Sequence, residues 1–252
     1  LEAHLIPLGP DFLPVLEAVP EEAARKSKAL LLNYPNNPTS ALADEGWWRD
    51  ALSFAEKYNL LLVHDNPYVD QVYAGQAPYA GQAPSPLALP GGKERVVELF
   101  SFSKSYHLAG FRLGFALGNA EALSAVEALK GPVDFNQYAG IQRMGITCLN
   151  LPQEGVRRDA LIWQRRSQTM VEVLREIGWN VQKPKACMYV WTRLPEGLDD
   201  LEFCKNLVAQ TGVALAPGRG FGPGGYGYVR FALVQPEPVL REAIQLISEF
   251  CA

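Results

Sequence analysis

Short apolar runs alternate along the chain with segments whose apolar positions recur at helical spacing. Residues 29–33 and 60–65 are apolar runs that end in polar residues, which is typical of buried strands in a parallel sheet. Residues 44–58 between them carry Trp, Ala, Leu and Phe at helical spacing, which predicts a helix. Further strands are predicted over residues 96–102 and 112–117. This order of strands and helix predicts an α/β fold.

The pattern changes after residue 152, where one long helical pattern runs from Pro152 to Gly178. Beyond it, the predicted elements are strands over 179–182, 188–194, 213–216 and 228–234 and helices over 199–211 and 236–250. We therefore predict two domains. Residues 1–152 would form a partial large α/β domain with a mostly parallel sheet and helices on both faces. Residues 153–252 would form a smaller α+β domain that includes the long connecting helix.

Composition narrows the class of protein. With 48% hydrophobic and 20% charged residues, the chain has the profile of a globular protein that can bury a core. Its net charge of −4 and the lack of a long Lys/Arg run argue against nucleic-acid binding. Its four cysteines lack the spacing of a zinc site, which favours free thiols in a reducing compartment. Without a membrane-spanning apolar run or a signal-peptide pattern, we expect a cytoplasmic protein with no membrane partner.

The segment SFSKSYHLAGFRLG, residues 101–114, holds the strongest chemical signal. A predicted strand ends there in hydroxyls and a lysine, and an arginine follows eight residues later. Ser101 and Ser103 can donate to phosphate oxygens, and Arg112 can grip a phosphate with two N–H groups. Lys104 can condense with an aldehyde. Taken alone, such a lysine is more often a surface residue in a serine-rich turn, so the interpretation depends on the segments around it.

Together with those segments, it resembles the class I/II aminotransferases, pyridoxal 5′-phosphate (PLP) enzymes of fold type I in the aspartate aminotransferase superfamily. Residues 36–39 (NNPT) resemble the family's Asn-Pro turn, and residues 65–68 (DNPY) resemble its D-x-x-Y element. The resemblance implies that Asn37 bonds the phenolic oxygen of PLP and approaches the substrate carboxylate. It also implies that Asp65 pairs with the pyridinium nitrogen and keeps the ring an electron sink. Tyr68 would donate to the phenolic oxygen.

Residues 227–233 (GYVRFAL) resemble the family's strand that carries the substrate arginine. The resemblance implies that Arg230 binds the substrate α-carboxylate with two hydrogen bonds. An arginine among apolar neighbours is costly to bury without a partner, which also favours a ligand role. The chain departs from the family at Ser40, where glycine is usual, and at residues 186–187 (Ala-Cys), where glycine and a small residue are more common.

The resemblance implies transfer of an amino group between an α-amino acid and a 2-oxo acid, through a Schiff base of PLP with Lys104. The freed lysine would then move the α-proton, and the protein would be a homodimer with sites at the interface. We also expect the chain to lack the N-terminal part of the family's large domain, which carries the glycine-rich turn that cradles the phosphate. Two alternatives stay open: a PLP-dependent β-lyase, which uses the same residues, and a truncated PLP-binding domain without turnover.

Three further features bear on the interpretation. Residues 134–138 (DFNQY) include no basic residue, which favours neutral or aromatic substrates over dicarboxylic ones. Trp47, Trp48 and the aromatic tract near Tyr138 are expected in the core rather than at an interface. Residues 74–84 read AGQAP-Y-AGQAP, a tandem repeat whose composition predicts a loop and to which we assign no function.

Overall fold

The structure is a computed structural model that describes residues 2–75 and 81–251. The strands are β1 (Ala29–Asn33), β2 (Leu61–Asp65), β3 (Val96–Ser101), β4 (Gly114–Gly118), β5 (Tyr189–Arg193), β6 (Ala216–Pro217) and β7 (Tyr228–Ala232). The helices are α1 (Glu21–Lys26), α2 (Glu45–Lys57), α3 (Gly92–Arg95), α4 (Phe102–Ser105), α5 (Ala120–Asp134), α6 (Ala139–Asn150), α7 (Glu154–Glu176), α8 (Asp200–Thr211) and α9 (Glu237–Cys251). The repeat at residues 74–84 lies partly outside the described residues.

The first sheet has four strands in the order β1-β2-β3-β4. Strands β1, β2 and β3 run parallel, and β4 returns antiparallel to β3. The predicted mostly parallel sheet is therefore confirmed. The register sets Asn33 beside Asp65 and Asp65 beside Leu99. The polar ends of β1 and β2 consequently lie next to each other at the carboxyl edge of the sheet.

Helix α2 covers one face of this sheet. It begins after Asp44, whose carboxylate accepts the Trp47 N–H at 2.8 Å and caps the helix. On the inner side of the helix, Trp48 and Ala51 are buried together with alternate residues of β1 and β2. On the other face of β1, Leu31 is 71% exposed. The strand residues that face α2 are therefore the ones buried in this core.

The second sheet has three antiparallel strands in the order β5-β7-β6. Helices α7, α8 and α9 contribute large apolar side chains to a second core beside it. This core also includes Tyr68 and Val72, from the segment that follows β2. The second core thus draws on both halves of the sequence, and the predicted domain division at residue 152 stays a prediction.

Some predicted elements need correction. No strand lies over residues 179–182. Trp179 and Val181 are buried there, while Asn180 and Gln182 are exposed. This irregular segment therefore has the alternating burial of a strand, although it does not pair with another strand. Of the strand predicted over residues 213–216, only Ala216 lies in a strand, the two-residue β6. Helices α5 and α6 are not predicted from the sequence pattern. Helix α5 has no buried residue, so it has no inward-facing apolar stripe.

The aromatic residues expected in the core divide into two groups. Trp48 is 1% exposed and Trp47 is half-buried, and both lie with Tyr34 in the first core. Tyr138 is 78% exposed, so the expectation of a core position is wrong for this residue. It lies just before α6, in a stretch where Phe135 is also exposed. Neither α5 nor α6 buries enough of its surface to enclose an aromatic side chain between them.

A buried ion pair fixes the turn at residues 218–221. Asp200 is 1% exposed and accepts hydrogen bonds from the Arg219 backbone N–H at 2.8 Å and from its guanidinium at 2.8 and 3.0 Å. Burial opposes the ionisation of Asp200, but the bonds from Arg219 outweigh it and lower its pKa to about 2. The same turn carries Phe221, so the ion pair holds that ring in place.

The variant Asp200→Asn is expected to lower the free energy of unfolding by about 2 kcal/mol at pH 7, because it leaves a buried arginine bond unmatched. The pKa of Asp200 is lower in the folded chain, so its contribution is complete above about pH 4 and is lost as the pH falls towards 2. Urea unfolding at pH 7, 5 and 3 measures this, with the exposed Asp50→Asn as the matched control. Equal midpoints for Asp200→Asn and the wild type at pH 7 would contradict it.

Candidate functional site

Three parallel strands end at one edge of the first sheet: β1 at Asn33, β2 at Asp65 and β3 at Ser101. Asn37 follows β1 by four residues, and Lys104 follows β3 by three. Ligands of open α/β sheets bind beyond the carboxyl ends of the strands. The chain path therefore brings four of the residues singled out in the sequence to one edge.

Asn33, which is not among the residues predicted from the sequence, connects two of these residues. Its side-chain amide donates to the Asp65 carbonyl at 2.8 Å and lies 3.4 Å from Asp65 Oδ2. Its side-chain oxygen accepts the Asn37 N–H at 3.0 Å. Asn33 thus holds the Asp65 carboxylate and the Asn37 turn in a fixed relation. The one signal in the sequence is a polar residue that ends an apolar strand.

Asp65 is half-buried at the end of β2. Burial raises the pKa of its carboxyl group, and the neighbouring charge of His64 opposes that rise. A buried carboxylate of this kind becomes easier to ionise when a cation lies against it. The environment of Asp65 therefore suits a ligand that presents a positively charged N–H group.

A buried polar network lies next to Asp65 in the sequence. His64 and Glu98 are fully buried, with His64 Nδ1 3.1 Å from Glu98 Oε1. The same oxygen accepts a hydrogen bond from Asn66 Nδ2 at 2.6 Å. His64 Nε2 lies 2.6 Å from the Tyr34 carbonyl oxygen. Since His64 and Asn66 flank Asp65 and both contact Glu98 of β3, the network fixes the carboxyl end of β2 against its neighbour.

Lys104 lies in the single helical turn α4, directly after β3. The turn is capped by Ser101, whose hydroxyl accepts the Ser103 N–H at 3.1 Å. Lys104 is half-buried, and its Nζ lies 6.0 Å from the centre of the Tyr68 ring. The amine therefore faces the residue that was predicted to donate to the cofactor.

Arg112 lies close to the serines in the chain path but is exposed. The Phe102 N–H donates to Leu113 O at 3.1 Å, and Ser101 pairs with Gly114. Residues 103–112 therefore form a loop whose two ends lie side by side. Arg112 donates to the Ala109 carbonyl at 2.8 Å. Within residues 2–75 and 81–251, no hydrogen bond joins its guanidinium to Ser101 or Ser103, and their shared role in phosphate binding stays a prediction.

Tyr68 is 4% exposed, and its hydroxyl lies 3.0 Å from the hydroxyl of Tyr189. Burial, followed by this hydrogen bond, raises the pKa of the Tyr68 phenol well above its ordinary value. The phenol therefore stays protonated at neutral pH and is available as a hydrogen-bond donor. Tyr189 was not among the residues singled out in the sequence.

Arg230 reaches the strand edge from the second sheet. Its Nη1 donates to Asn37 Oδ1 at 2.7 Å. Its guanidinium carbon lies 4.3 Å from the centre of the Tyr189 ring and 4.8 Å from that of Phe221. Arg230 Nε is buried without a hydrogen-bond partner in the described part of the chain. The guanidinium is thus held in one orientation and retains donor capacity for an anion.

Two kinds of feature are absent from residues 2–75 and 81–251. No group of three or more His, Cys, Asp or Glu side chains there could hold a metal ion. No helix of those ranges is both long and apolar enough to cross a membrane.

Residues 10–247 match the aminotransferase class I and II family, and the chain belongs to it. The resemblance drawn from the sequence motifs is thereby confirmed. An LL-diaminopimelate aminotransferase of Dehalococcoides mccartyi is 38% identical over 251 residues, which are 99% of this chain and 63% of that protein. LL-diaminopimelate aminotransferase 2 of Trichormus variabilis is 39% identical over 238 residues, 94% of this chain and 60% of that protein.

Solved structures agree with the sequence comparison. A probable N-succinyldiaminopimelate aminotransferase of Thermus thermophilus superposes with a TM-score of 0.92 at 59% identity, over 98% of this chain and 65% of that one. An aspartate aminotransferase of Thermotoga maritima superposes with a TM-score of 0.84 at 26% identity, over 96% of this chain and 61% of that one. The fold is that of the fold-type I aminotransferases. The chain spans less than two thirds of the length of each of these relatives.

The residues at the strand edge fit PLP, the cofactor of this family. Asp65, whose ionisation is hindered by burial, suits the pyridinium N–H. Tyr68 offers a protonated hydroxyl for the phenolic oxygen. Lys104 Nζ lies 6.0 Å from the centre of the Tyr68 ring. The amine of Lys104, the carboxylate of Asp65 and the neutral hydroxyl of Tyr68 are thus the three kinds of group that a phosphorylated pyridine aldehyde requires.

Proposed function

We propose that the protein transfers an amino group between an α-amino acid and a 2-oxo acid with PLP as cofactor. The observation that carries the proposal is the meeting of the two sheets. Arg230 of β7 bonds Asn37 at the edge where Asp65 and Lys104 also lie. A carboxylate-binding group and an amine that can form an imine therefore belong to one site. When bound, PLP supplies an electron sink for the carbanion that forms at the substrate Cα.

The chain's own residues would then share the tasks of the reaction. Lys104 would hold the cofactor through its Nζ and, with its amine free, would carry the α-proton as a general base. Asp65 holds the proton on the pyridine nitrogen. Tyr68 donates to the phenolic oxygen. Arg230 orients the substrate carboxylate so that the Cα–H bond is the one that breaks.

Ser101, Ser103 and Arg112 are proposed to bind the phosphate group. Ser101 and Ser103 lie in the capped turn that carries Lys104, so their hydroxyls move with the amine. Arg112 is exposed, and its guanidinium can offer two N–H groups to the phosphate from the loop between Phe102 and Leu113. Asn37 would contact both the phenolic oxygen and, beside Arg230, the substrate carboxylate.

The substrate class is proposed from the relatives. Those with 38–39% identity are LL-diaminopimelate aminotransferases by name, and the protein with 59% identity is named a probable N-succinyldiaminopimelate aminotransferase. Amino acids of the diaminopimelate type, with a distal polar group, are therefore the first substrates to assay, with a 2-oxo acid as amino acceptor. This differs from the neutral or aromatic substrates expected from residues 134–138. A homodimer and a cytoplasmic location also remain proposals.

The proposal is tested on the purified chain with added PLP. We expect a visible absorbance band that borohydride fixes on Lys104, as located by peptide mapping, and amino transfer from a diaminopimelate-type amino acid to a 2-oxo acid. Pyruvate and ammonia released from a cysteine-like substrate, without amino transfer, would instead support the β-lyase alternative. A bound cofactor without turnover on any amino acid would support the PLP-binding domain. The absence of any band would refute PLP binding by this chain.

The variant Asn33→Ala is expected to weaken PLP binding about tenfold, because it removes the hydrogen bonds that hold Asp65 and Asn37. Equilibrium titration followed by absorbance measures the affinity. The exposed Asn150→Ala is the matched control, since its side chain bonds only within α6. An affinity equal to that of the wild type would show that Asp65 and Asn37 keep their positions without Asn33.

A further inference from the structure

Tyr189 contacts two residues of the proposed site at once. It is the first residue of β5 and is 6% exposed. Its hydroxyl lies 3.0 Å from that of Tyr68, and the two rings meet edge to face with their centres 5.8 Å apart. Its carbonyl oxygen accepts the Ser40 hydroxyl at 2.9 Å. The side chain is therefore enclosed and anchored on both its backbone and its hydroxyl.

The guanidinium of Arg230 packs on the face of the Tyr189 ring. The guanidinium carbon lies 4.3 Å from the centre of this ring, with Phe221 at 4.8 Å. Contact with aromatic faces attracts a guanidinium electrostatically and restricts its plane. Because Arg230 also bonds Asn37 at 2.7 Å, the ring contacts leave its fork in one orientation.

The hydroxyl of Tyr189 has a defined role if Tyr68 serves the cofactor. A phenol has one O–H to donate, and Tyr68 would direct it to the phenolic oxygen of PLP. The contact with Tyr189 then requires Tyr68 to accept, so Tyr189 donates. A donor that itself accepts a hydrogen bond becomes a stronger donor. The hydroxyl of Tyr189 would thereby strengthen the hydrogen bond from Tyr68.

We propose that Tyr189 is a positioning residue that joins the cofactor's hydrogen-bond donor Tyr68 to the carboxylate-binding Arg230. The inference rests on the proposed function and goes beyond it by assigning two separable tasks to one side chain. The hydroxyl sets the donor strength of Tyr68, and the ring sets the orientation of Arg230. The titratable and charged groups that face Tyr68 are Tyr189, Cys187, Arg230 and Lys104.

The first test is the pH titration of the cofactor's visible band in the PLP-loaded protein. The proton lost in this titration leaves negative charge on the phenolic oxygen, which the Tyr68 hydrogen bond stabilises. Tyr189→Phe removes the hydroxyl and keeps the ring, so the midpoint should rise by about half a pH unit. The control Tyr73→Phe removes another buried hydroxyl, which donates to the Cys187 carbonyl, and should leave the midpoint unchanged. An unchanged midpoint in Tyr189→Phe overturns the role of the hydroxyl.

The second test separates the ring from the hydroxyl by steady-state kinetics. Tyr189→Phe should leave the KM for the amino acid within about twofold of the wild type, because the aromatic face remains. Tyr189→Leu removes that face and should raise the KM about tenfold, since Arg230 loses one of its two ring contacts. Equal KM values for the two variants overturn the role of the ring.

The third test needs no cofactor and uses unfolding of the PLP-free chain. A double-mutant cycle of Tyr68→Phe and Tyr189→Phe should show coupling of at least about threefold in the unfolding equilibrium constant. Additive effects would mean that the two hydroxyls do not interact, which overturns the inference. If the wild type formed no PLP band but the cycle showed coupling, the proposed function would fail while the Tyr68–Tyr189 contact stood.

Discussion

Replacing Lys104 with alanine is expected to abolish the borohydride-fixable absorbance and to lower the rate of amino transfer at least about 10⁴-fold. The residue has two tasks in the proposed mechanism, covalent anchoring and proton transfer, and no conservative group replaces both. Its amine lies in the capped turn after β3 and faces the Tyr68 ring at 6.0 Å. Spectra before and after reduction, together with coupled assays of the oxo-acid product, measure the loss.

The matched control for this variant is Lys205→Ala. Lys205 is an exposed lysine on α8 whose ion pair with Glu202 has little effect on stability. It should retain both the band and the rate. Transfer by Lys104→Ala at more than about one hundredth of the wild-type rate would exclude Lys104 as the proton carrier. If borohydride still fixed the PLP absorbance on the Lys104→Ala protein, the covalent attachment would lie on another residue.

Arg230→Ala is expected to lower kcat/KM for the amino acid by about 10²- to 10³-fold, mainly through KM. The variant removes, from a half-buried site, the positive charge that would pair with the substrate carboxylate. Arg230→Lys should recover only part of the loss, since lysine keeps the charge but cannot form the bidentate fork. The PLP band should persist in both variants, because Arg230 contacts Asn37 rather than Lys104 or Asp65.

The control for this prediction is Arg193→Ala, an exposed arginine of β5 in the same sheet, whose guanidinium packs on Tyr228. Steady-state kinetics with one amino acid at several concentrations separates KM from kcat. A kcat/KM for Arg230→Ala within about threefold of the wild type would rule out a carboxylate-binding role. Loss of the PLP band in the same variant would instead show that the Asn37 contact supports the cofactor site.

The strand ends could be predicted from the sequence, and with them the region of the site. Apolar runs that close on a polar residue locate Asp65 and Ser101 at the carboxyl ends of β2 and β3. Ligand binding at such ends is a property of the open α/β sheet, so no tertiary information was needed. The motif around Lys104 then identified the chemistry.

Residues that act through tertiary contacts could not be predicted in this way. Asn33 touches Asp65 across 32 positions of the chain, and Tyr189 touches Tyr68 across 121. Neither residue has a local pattern that distinguishes it from a strand end or a core aromatic. Arg112 shows the opposite case, because its motif is clear in the sequence while its guanidinium is exposed and bonded to Ala109.

One departure from the family has a conformational meaning. Ser40, which stands where the family usually has glycine, adopts a left-handed backbone conformation with φ of 58°. Glycine reaches this region freely, whereas other residues cost about 1 kcal/mol or more there. In this chain the Ser40 hydroxyl donates to the Tyr189 carbonyl at 2.9 Å, which offsets part of that cost. The serine therefore replaces backbone freedom with a fixed contact to β5.

We expect the folded chain to open first at α5 and α6, because these helices bury little of their surface. Helix α5 has no buried residue and contains Pro132, and Gly145 is the one buried residue of α6. Segments with so little burial open at a small fraction of the free energy of global unfolding, so their amide hydrogens exchange by local rather than global opening. A Cβ at Gly145 would lie 2.7 Å from Leu113 and 3.1 Å from Phe102, the residue that opens the lysine turn. The lack of a side chain at Gly145 thus lets α6 pack closely against Phe102, at the start of the turn that carries the amine.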